Sequence, residues 1–245
     1  TVEVEKRATD ILMKKLAQED GYEEKDLEEN KELRAHYRVI ADRNLRQNGY
    51  KVYTTIDKEV HDVMQQAVKN FQYFGPDKKE KKKNLETDED VVVVEPEELG
   101  SVLIENRSGK ILGFVAGRDF EREQTNHAFA PAVRPNGSTM KPLLDYAPAM
   151  ELGLVQPGSV IADVKFSYGN YTPQNVGGAN DFDGLMSARR ALQVSKNIPA
   201  IKTYLKAFDQ RPITFLEKMG FTTLDERDYH APSLAIGGMT YGVSV

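Results

Sequence analysis

The sequence predicts an α/β fold, of the α+β kind in which helices and antiparallel strands occupy separate stretches. Three observations carry this. Several segments repeat apolar residues at about 3.6-residue spacing between capping and stop signals, as amphipathic helices do. Residues 101–106 and 110–116 are β-rich runs joined by Arg107, Ser108 and Gly109, which reads as a hairpin. The second run is apolar on both faces and is therefore expected to lie inside a covered sheet. With 245 residues, 40% of them hydrophobic, the chain is long enough for one sizeable core and a smaller module.

Taken in order, residues 1–18 read as a helix with Ala8, Ile11, Leu12 and Leu16 on one face and Gly21 beyond its end. A second helix is expected over residues 31–47, with Leu33, Tyr37, Ile40 and Asn44 on one side. That face is narrow, so the helix is expected to cover an edge rather than form a core. Residues 50–56 alternate and read as a strand. Asp57 suits an N-cap, with Glu59 in the first turn, and Val60, Val63, Met64, Ala67, Val68 and Phe71 form a stripe expected to be buried. In residues 75–90, Lys78, Lys79, Lys81, Lys82 and Lys83 are followed by Glu86, Asp88, Glu89 and Asp90, which reads as a solvated loop. Val91 to Val94 is again a strand, ended by Pro96. A domain boundary near Leu99 divides a linker or N-terminal module, residues 1–98, from a second domain, residues 99–245.

Within that second domain, Ser138 and Lys141 stand three apart, with Gly137 before the serine and Pro142 after the lysine. Leu143, Leu144, Ala147, Met150 and Leu154 follow at helical spacing, and Gly153 suits a stop. In a helix interior the Pro142 ring would clash with the carbonyl four residues back, at Ser138, so the helix is expected to begin close to Ser138. Positions i and i+3 share a face, which lets the Lys141 amine reach the Ser138 hydroxyl. A serine is a poor nucleophile without an adjacent base, and a lysine made neutral by burial can be that base. The same four residues would also fit a surface helix cap with a solvated lysine. A second motif bears on the choice. A short helix is expected over residues 187–194 and another around Ile201, Tyr204, Leu205 and Phe208, with Pro199 in its first turn; Ser195 and Asn197 fall at the corner between them. Alone, Asn197 would read as an N-cap and Ser195 as a turn residue. The intervening residues 168–178, rich in Tyr, Gly and Asn, read as an ordered loop near a site.

Composition excludes several classes. The net charge is −5, so no general nucleic-acid role is expected. There are no cysteines, which excludes disulfides and thiolate chemistry. The four histidines, His36, His61, His127 and His230, show no ligand spacing; no metal site, no cofactor and no Ser-His-Asp arrangement is expected.

Ser-x-x-Lys followed by Ser-x-Asn resembles the penicillin-recognising serine acyltransferases. The match extends to Gly117-Arg118-Asp119-Phe120, Asn126, residues 134–142, Tyr171-Thr172-Pro173-Gln174-Asn175 and residues 237–244. Together these resemble the transpeptidase domain of class A (bifunctional) penicillin-binding proteins, and residues 50–57 are similar to the linker that precedes it. The resemblance implies a mainly antiparallel sheet covered by helices, with the serine helix central. It implies that Ser138 attacks the D-Ala-D-Ala bond of a cell-wall stem peptide, that Lys141 takes its proton, that Ser195 relays protons, and that Asn197 binds the substrate backbone and helps hold Lys141. The Ser138 N–H would be one oxyanion donor. The implied partners are peptidoglycan stem peptides, glycan strands and β-lactams, on the outer face of the cytoplasmic membrane, with an N-terminal anchor and a glycosyltransferase domain expected upstream of this chain. The family's third motif, Lys-Thr/Ser-Gly, does not occur. A C-terminal half of the domain carrying it is therefore expected beyond this chain, and residues 1–245 alone are expected to be poorly active. Lys196 fills a position that is variable in the family. A β-lactamase would share Ser138 and Lys141 but needs a base to activate water; no acidic residue stands in a matching motif, though Asp181 and Asp183 lie in the loop region concerned. A β-lactam sensor or scaffold would keep the fold, and even acylation, without crosslinking.

Overall fold

The computed structural model describes residues 2–83 and 89–245. The chain divides into two compact units, one of residues 1–60 and 104–112 and one of residues 61–103 and 113–245.

The first unit is built on three helices, α1 (Val2–Glu19), α2 (Glu24–Glu29) and α3 (Lys31–Gln47). Asn30 separates the last two and caps α3, its Oδ1 accepting from Glu32 N at 3.1 Å and Leu33 N at 3.0 Å. Leu12, Met13, Ala17, Leu27, Tyr37 and Ala41 form a small core, and the Tyr37 hydroxyl donates to Asp20 at 2.6 Å. Three expectations change here. The buried face of α1 is Thr9, Leu12, Met13 and Ala17, one position round from the expected stripe, and Ile11 is 70% exposed. Helix α3 packs on α1 as part of a core and does not cover an edge. Its narrow face suffices because α2, which the sequence reading missed, closes the third side with Leu27, and Ala17 and Ala41 admit close approach. Residues 50–56 form no strand. Their ties are separate bonds, Thr55 Oγ1 to Ile111 O at 2.6 Å and, just beyond, Asp57 N to Leu112 O at 2.8 Å, too few for a ladder.

Helix α4 (Lys58–Asn70) starts where Asp57 Oδ1 accepts from Val60 N at 3.0 Å. Its expected stripe is not buried: no α4 residue is fully enclosed and Val63 is 69% exposed. In the second unit the His61, Met64 and Gln65 side meets β4 (Ile111–Val115), with Gln65 Nε2 donating to Phe114 O at 3.0 Å. A two-stranded ribbon is too narrow to cover the whole stripe. β4 pairs with β3 (Ser101–Ile104) and, among the described residues, with no further strand. β1 (Lys78–Lys83) pairs antiparallel with β2 (Asp90–Glu95), Lys78 opposite Glu95 and Lys83 opposite Asp90. The lysine run expected in a loop is thus an exposed strand, drawn into pairing by the valines of β2 and by opposite charges such as Lys82 and Glu95. Glu86 and Asp88 lie outside the described residues. β5 (Val160–Asp163) and β6 (Gly184–Ser187) form the third antiparallel pair. The fold is thus mixed α/β, with antiparallel pairing and helices around it.

The larger core of the second unit is organised by α7 (Asn197–Ala207), in which seven residues are buried. One cluster joins Met140, Leu144, Ile201, Tyr204, Leu216, Leu234 and Ala235, and a second joins Tyr146, Ala149, Val155, Ile161, Ala188, Ala191 and Ala200. The segment that carries Ser138 and Lys141 lies between these clusters, so its backbone is held by core packing on both sides.

Candidate active site

Gly137–Thr139 forms a 3-10 turn, Lys141–Tyr146 a π-helical stretch, and Ala147–Glu151 the short helix α5. The helical run therefore begins at Gly137, close to Ser138 as expected from Pro142, and stops before Gly153, whose φ is 71°. The regular 3.6-residue helix expected after Pro142 is replaced by the wider π turn, in which Ala147 N donates to Pro142 O. Ser138 is exposed while Lys141 beneath it is buried. Met140 and Leu144 fix this stretch by entering the core on either side of the lysine. In front of the serine, Gly237 approaches so closely that an added Cβ would lie 2.2 Å from Gly137 O, and Arg134 pairs with Val243 through bonds of 2.9 and 2.8 Å.

The Lys141 amine has four polar neighbours: Ser138 Oγ at 3.0 Å, Ser195 Oγ at 3.0 Å, the Ser195 carbonyl at 2.7 Å and Asn197 Oδ1 at 2.7 Å. The Asn197 amide is oriented by its own Nδ2, which donates to Gln174 O at 2.9 Å, so its oxygen faces the lysine. The Ser195 carbonyl and Asn197 Oδ1 can only accept. They take two amine hydrogens, which is all that a neutral lysine has, and leave its lone pair for a serine hydroxyl. Burial lowers the Lys141 pKa below the ordinary lysine range, although the neighbouring Asp145 pulls the other way. Asp145 is itself fully buried with neither oxygen hydrogen-bonded, and burial pushes its pKa well above the usual carboxylate range, against the pull of Lys141. A neutral amine beside a solvent-facing serine can act as its general base.

All four predicted residues, Ser138, Lys141, Ser195 and Asn197, therefore meet at one point. Ser195 follows α6 (Ala188–Gln193) in a left-handed conformation with φ of 57°. Asn197 is not the N-cap: Lys196 occupies that position and Asn197 opens α7. Its backbone N–H and that of Ile198 go to Asn175 Oδ1 at 2.9 and 3.3 Å. The loop over residues 168–178 is thus in contact with the site. Sequence reasoning gave no role to Asn175, Asp145 or Lys196. Asn175 stood in a quoted motif, whereas nothing local in the sequence marks Asp145 as buried.

The family described as the penicillin binding protein transpeptidase domain matches residues 99–232. The chain belongs to that family. It is 30% identical over 205 residues to penicillin-binding protein 1F of Bacillus subtilis (strain 168), covering 84% of this chain and 25% of that protein. It is 30% identical over 183 residues to penicillin-binding protein 1A of Streptococcus oralis, covering 72% and 26%. The chain spans about a quarter of the length of these curated relatives. Among solved structures, penicillin-binding protein 1A from Haemophilus influenzae superposes with a TM-score of 0.51 at 25% identity, over 65% of this chain and 24% of that one. PonA1 from Mycobacterium tuberculosis gives 0.60 at 16% identity over 96% and 53%, which shows a shared fold.

Proposed function

We propose that this chain carries the acylation site of a peptidoglycan D,D-transpeptidase that β-lactams also acylate. The observation that carries the reading is the buried Lys141 amine held against Ser138 Oγ, Ser195 and Asn197. In the first half-reaction Ser138 Oγ bonds to the carbonyl carbon of the penultimate D-alanine as Lys141 takes the hydroxyl proton. The peptide C–N bond breaks, and the proton passes through Ser195 to the departing D-alanine amine. In the second, an amine on a neighbouring stem attacks the ester, Ser138 Oγ leaves and recovers a proton, and the crosslink is made. A β-lactam follows the first half-reaction, its ring amide taking the place of the stem peptide bond. Asn197 contacts the substrate backbone as well as Lys141. Residues 99–245 are assigned to this domain and residues 1–98 to a linker module. The site works outside the cytoplasmic membrane, on stem peptides of glycan strands; among the described residues no helix is long and apolar enough to cross a membrane.

The β-lactamase reading is weaker because Asp181 and Asp183, the acids nearest the expected loop, are both engaged by Lys196, at 3.0 and 3.2 Å. The test is labelling of the full reading frame with a fluorescent penicillin. The adduct is expected on Ser138, to persist, and to vanish in Ser138→Ala. An adduct mapped by mass spectrometry to another residue overturns the assignment, and rapid release of the label favours a lactamase.

A further inference from the structure

We propose that Lys196, the middle residue of Ser195-Lys196-Asn197, is a positioning residue whose ion pairs hold the corner that aims Ser195 and Asn197 at Lys141. This rests on the reading of Ser138 as the acylated residue. The lysine is buried, and its Nζ lies 3.5 Å from Asp163 Oδ2, 3.0 Å from Asp181 Oδ1 and 3.2 Å from Asp183 Oδ2. Burial works against its charge, but the hydrogen bonds to Asp181 and Asp183 and the charge of Asp163 prevail, and its pKa is raised. A surface lysine on a variable position would not be expected to gather three carboxylates.

The corner needs such an anchor. Ser195 sits at φ of 57°, a conformation that a residue with a Cβ avoids unless its surroundings impose it. On its C-terminal side the chain is tied twice to one loop. Lys196 grips Asp181 and Asp183 by its side chain, and Asn175 Oδ1 takes the backbone N–H groups of Asn197 and Ile198. Both ties converge on Asp163 of β5, which is fully buried. Its Oδ1 accepts from Asn175 Nδ2 at 2.8 Å, and its Oδ2 accepts from Asp183 N at 3.0 Å and faces Lys196. Gly177 admits the approach, since a Cβ there would lie 2.8 Å from Asp181 Cγ. From this frame the Ser195 carbonyl and Asn197 Oδ1 reach Lys141 at 2.7 Å. Lys196 touches neither Ser138 nor Lys141 in these contacts. It acts through its two neighbours in sequence.

The experiment measures the second-order rate of penicillin acylation in the full reading frame, with melting curves alongside. Lys196→Met is expected to slow acylation by about 10- to 100-fold, the scale of a small displacement in a catalytic group. Lys196→Arg, which keeps the charge, is expected to recover to within about threefold. The decisive arm is a double-mutant cycle: in an Asn197→Ala background, where one of the two aimed acceptors is gone, Lys196→Met should cost at least about threefold less than in the wild type. The same factor in both backgrounds, or a wild-type rate for Lys196→Met, overturns the positioning role. If Lys196→Met shows no cooperative melting, Asp181→Asn/Asp183→Asn tests the idea at the more exposed partners. A loss of about threefold or more that shrinks in the Asn197→Ala background supports it, and an unchanged rate overturns it. A wild-type protein that takes no label on Ser138 overturns the functional reading and this role with it. Labelling on Ser138 that is indifferent to Lys196 overturns this role alone.

Discussion

A lysine that is to accept a proton must first be without one, and the surroundings of Lys141 bear on both states. Two acceptors fix its two hydrogens, and burial disfavours its charge. An ionised Asp145 would keep the ammonium charged, but burial drives that carboxyl toward its neutral form. The sign follows. Lys141 has a lowered pKa, so the active, neutral amine gains population as pH rises through that value, which lies below the ordinary lysine range. The acylation rate is therefore expected to climb with pH along a limb for one proton and then level off. Asp145→Asn should keep the limb, because it replaces a neutral group by a neutral group. Lys141→Ala should lower the rate by about 100- to 10,000-fold without unfolding the protein, since it removes a general base. Stopped-flow acylation across pH checks both; a rate independent of pH in the wild type would show that Lys141 is not the base. Of this arrangement, the Ser138–Lys141 pair was legible because three residues of helix suffice to bring them together. The burial of Asp145 was not, because the clusters that enclose this stretch draw on segments as distant in sequence as Ala188, Ile201 and Leu234.

At the scale of elements, the serine stands where three kinds of helical turn meet. The 3-10 turn, the π stretch and α5 follow one another, joined at Met140, and Pro142 falls in the first turn of the π stretch. Sequence periodicity found the start and the stop but not the π turn, because Leu143, Leu144 and Ala147 fit either winding over so short a run. The segment at residues 237–244 was legible only as part of a resemblance. Its physical work is visible in Gly237, which has φ of 84° and leaves no room for a side chain beside Gly137. The atoms in the way are backbone and cannot swing aside. Gly237→Ala should therefore push the turn that carries Ser138 and slow acylation by about 100-fold, while the label still lands on Ser138. A rate within about twofold of wild type would mean that this contact does not set the serine's position.

At the scale of the molecule, the parts read best from sequence were those whose signals are local. α3, expected over residues 31–47, runs from Lys31 to Gln47, and the signals that bound it are local, with the Asn30 cap immediately before it and Gly49 just beyond. Burial was read less well, since it depends on partners distant in sequence. The face of α1 shifted by one position to meet Tyr37 and Ala41, and the α4 stripe found only part of a ribbon to cover. Charge hid the strand at Lys78–Lys83, whose pairing is set by β2 and not by its own composition. The resulting cores are separate: Leu12, Met13, Ala17, Leu27, Tyr37 and Ala41 share no residue with the clusters around Lys141. A defect in the first should then stay there. Met13→Ala empties a buried position and is expected to cost the helices α1 to α3 about 2–5 kcal/mol. Hydrogen exchange should show lost protection over residues 2–47, with acylation at Ser138 changed by less than about twofold, as for independent sites. A matching fall in the acylation rate would show that the helical unit and the serine site are coupled.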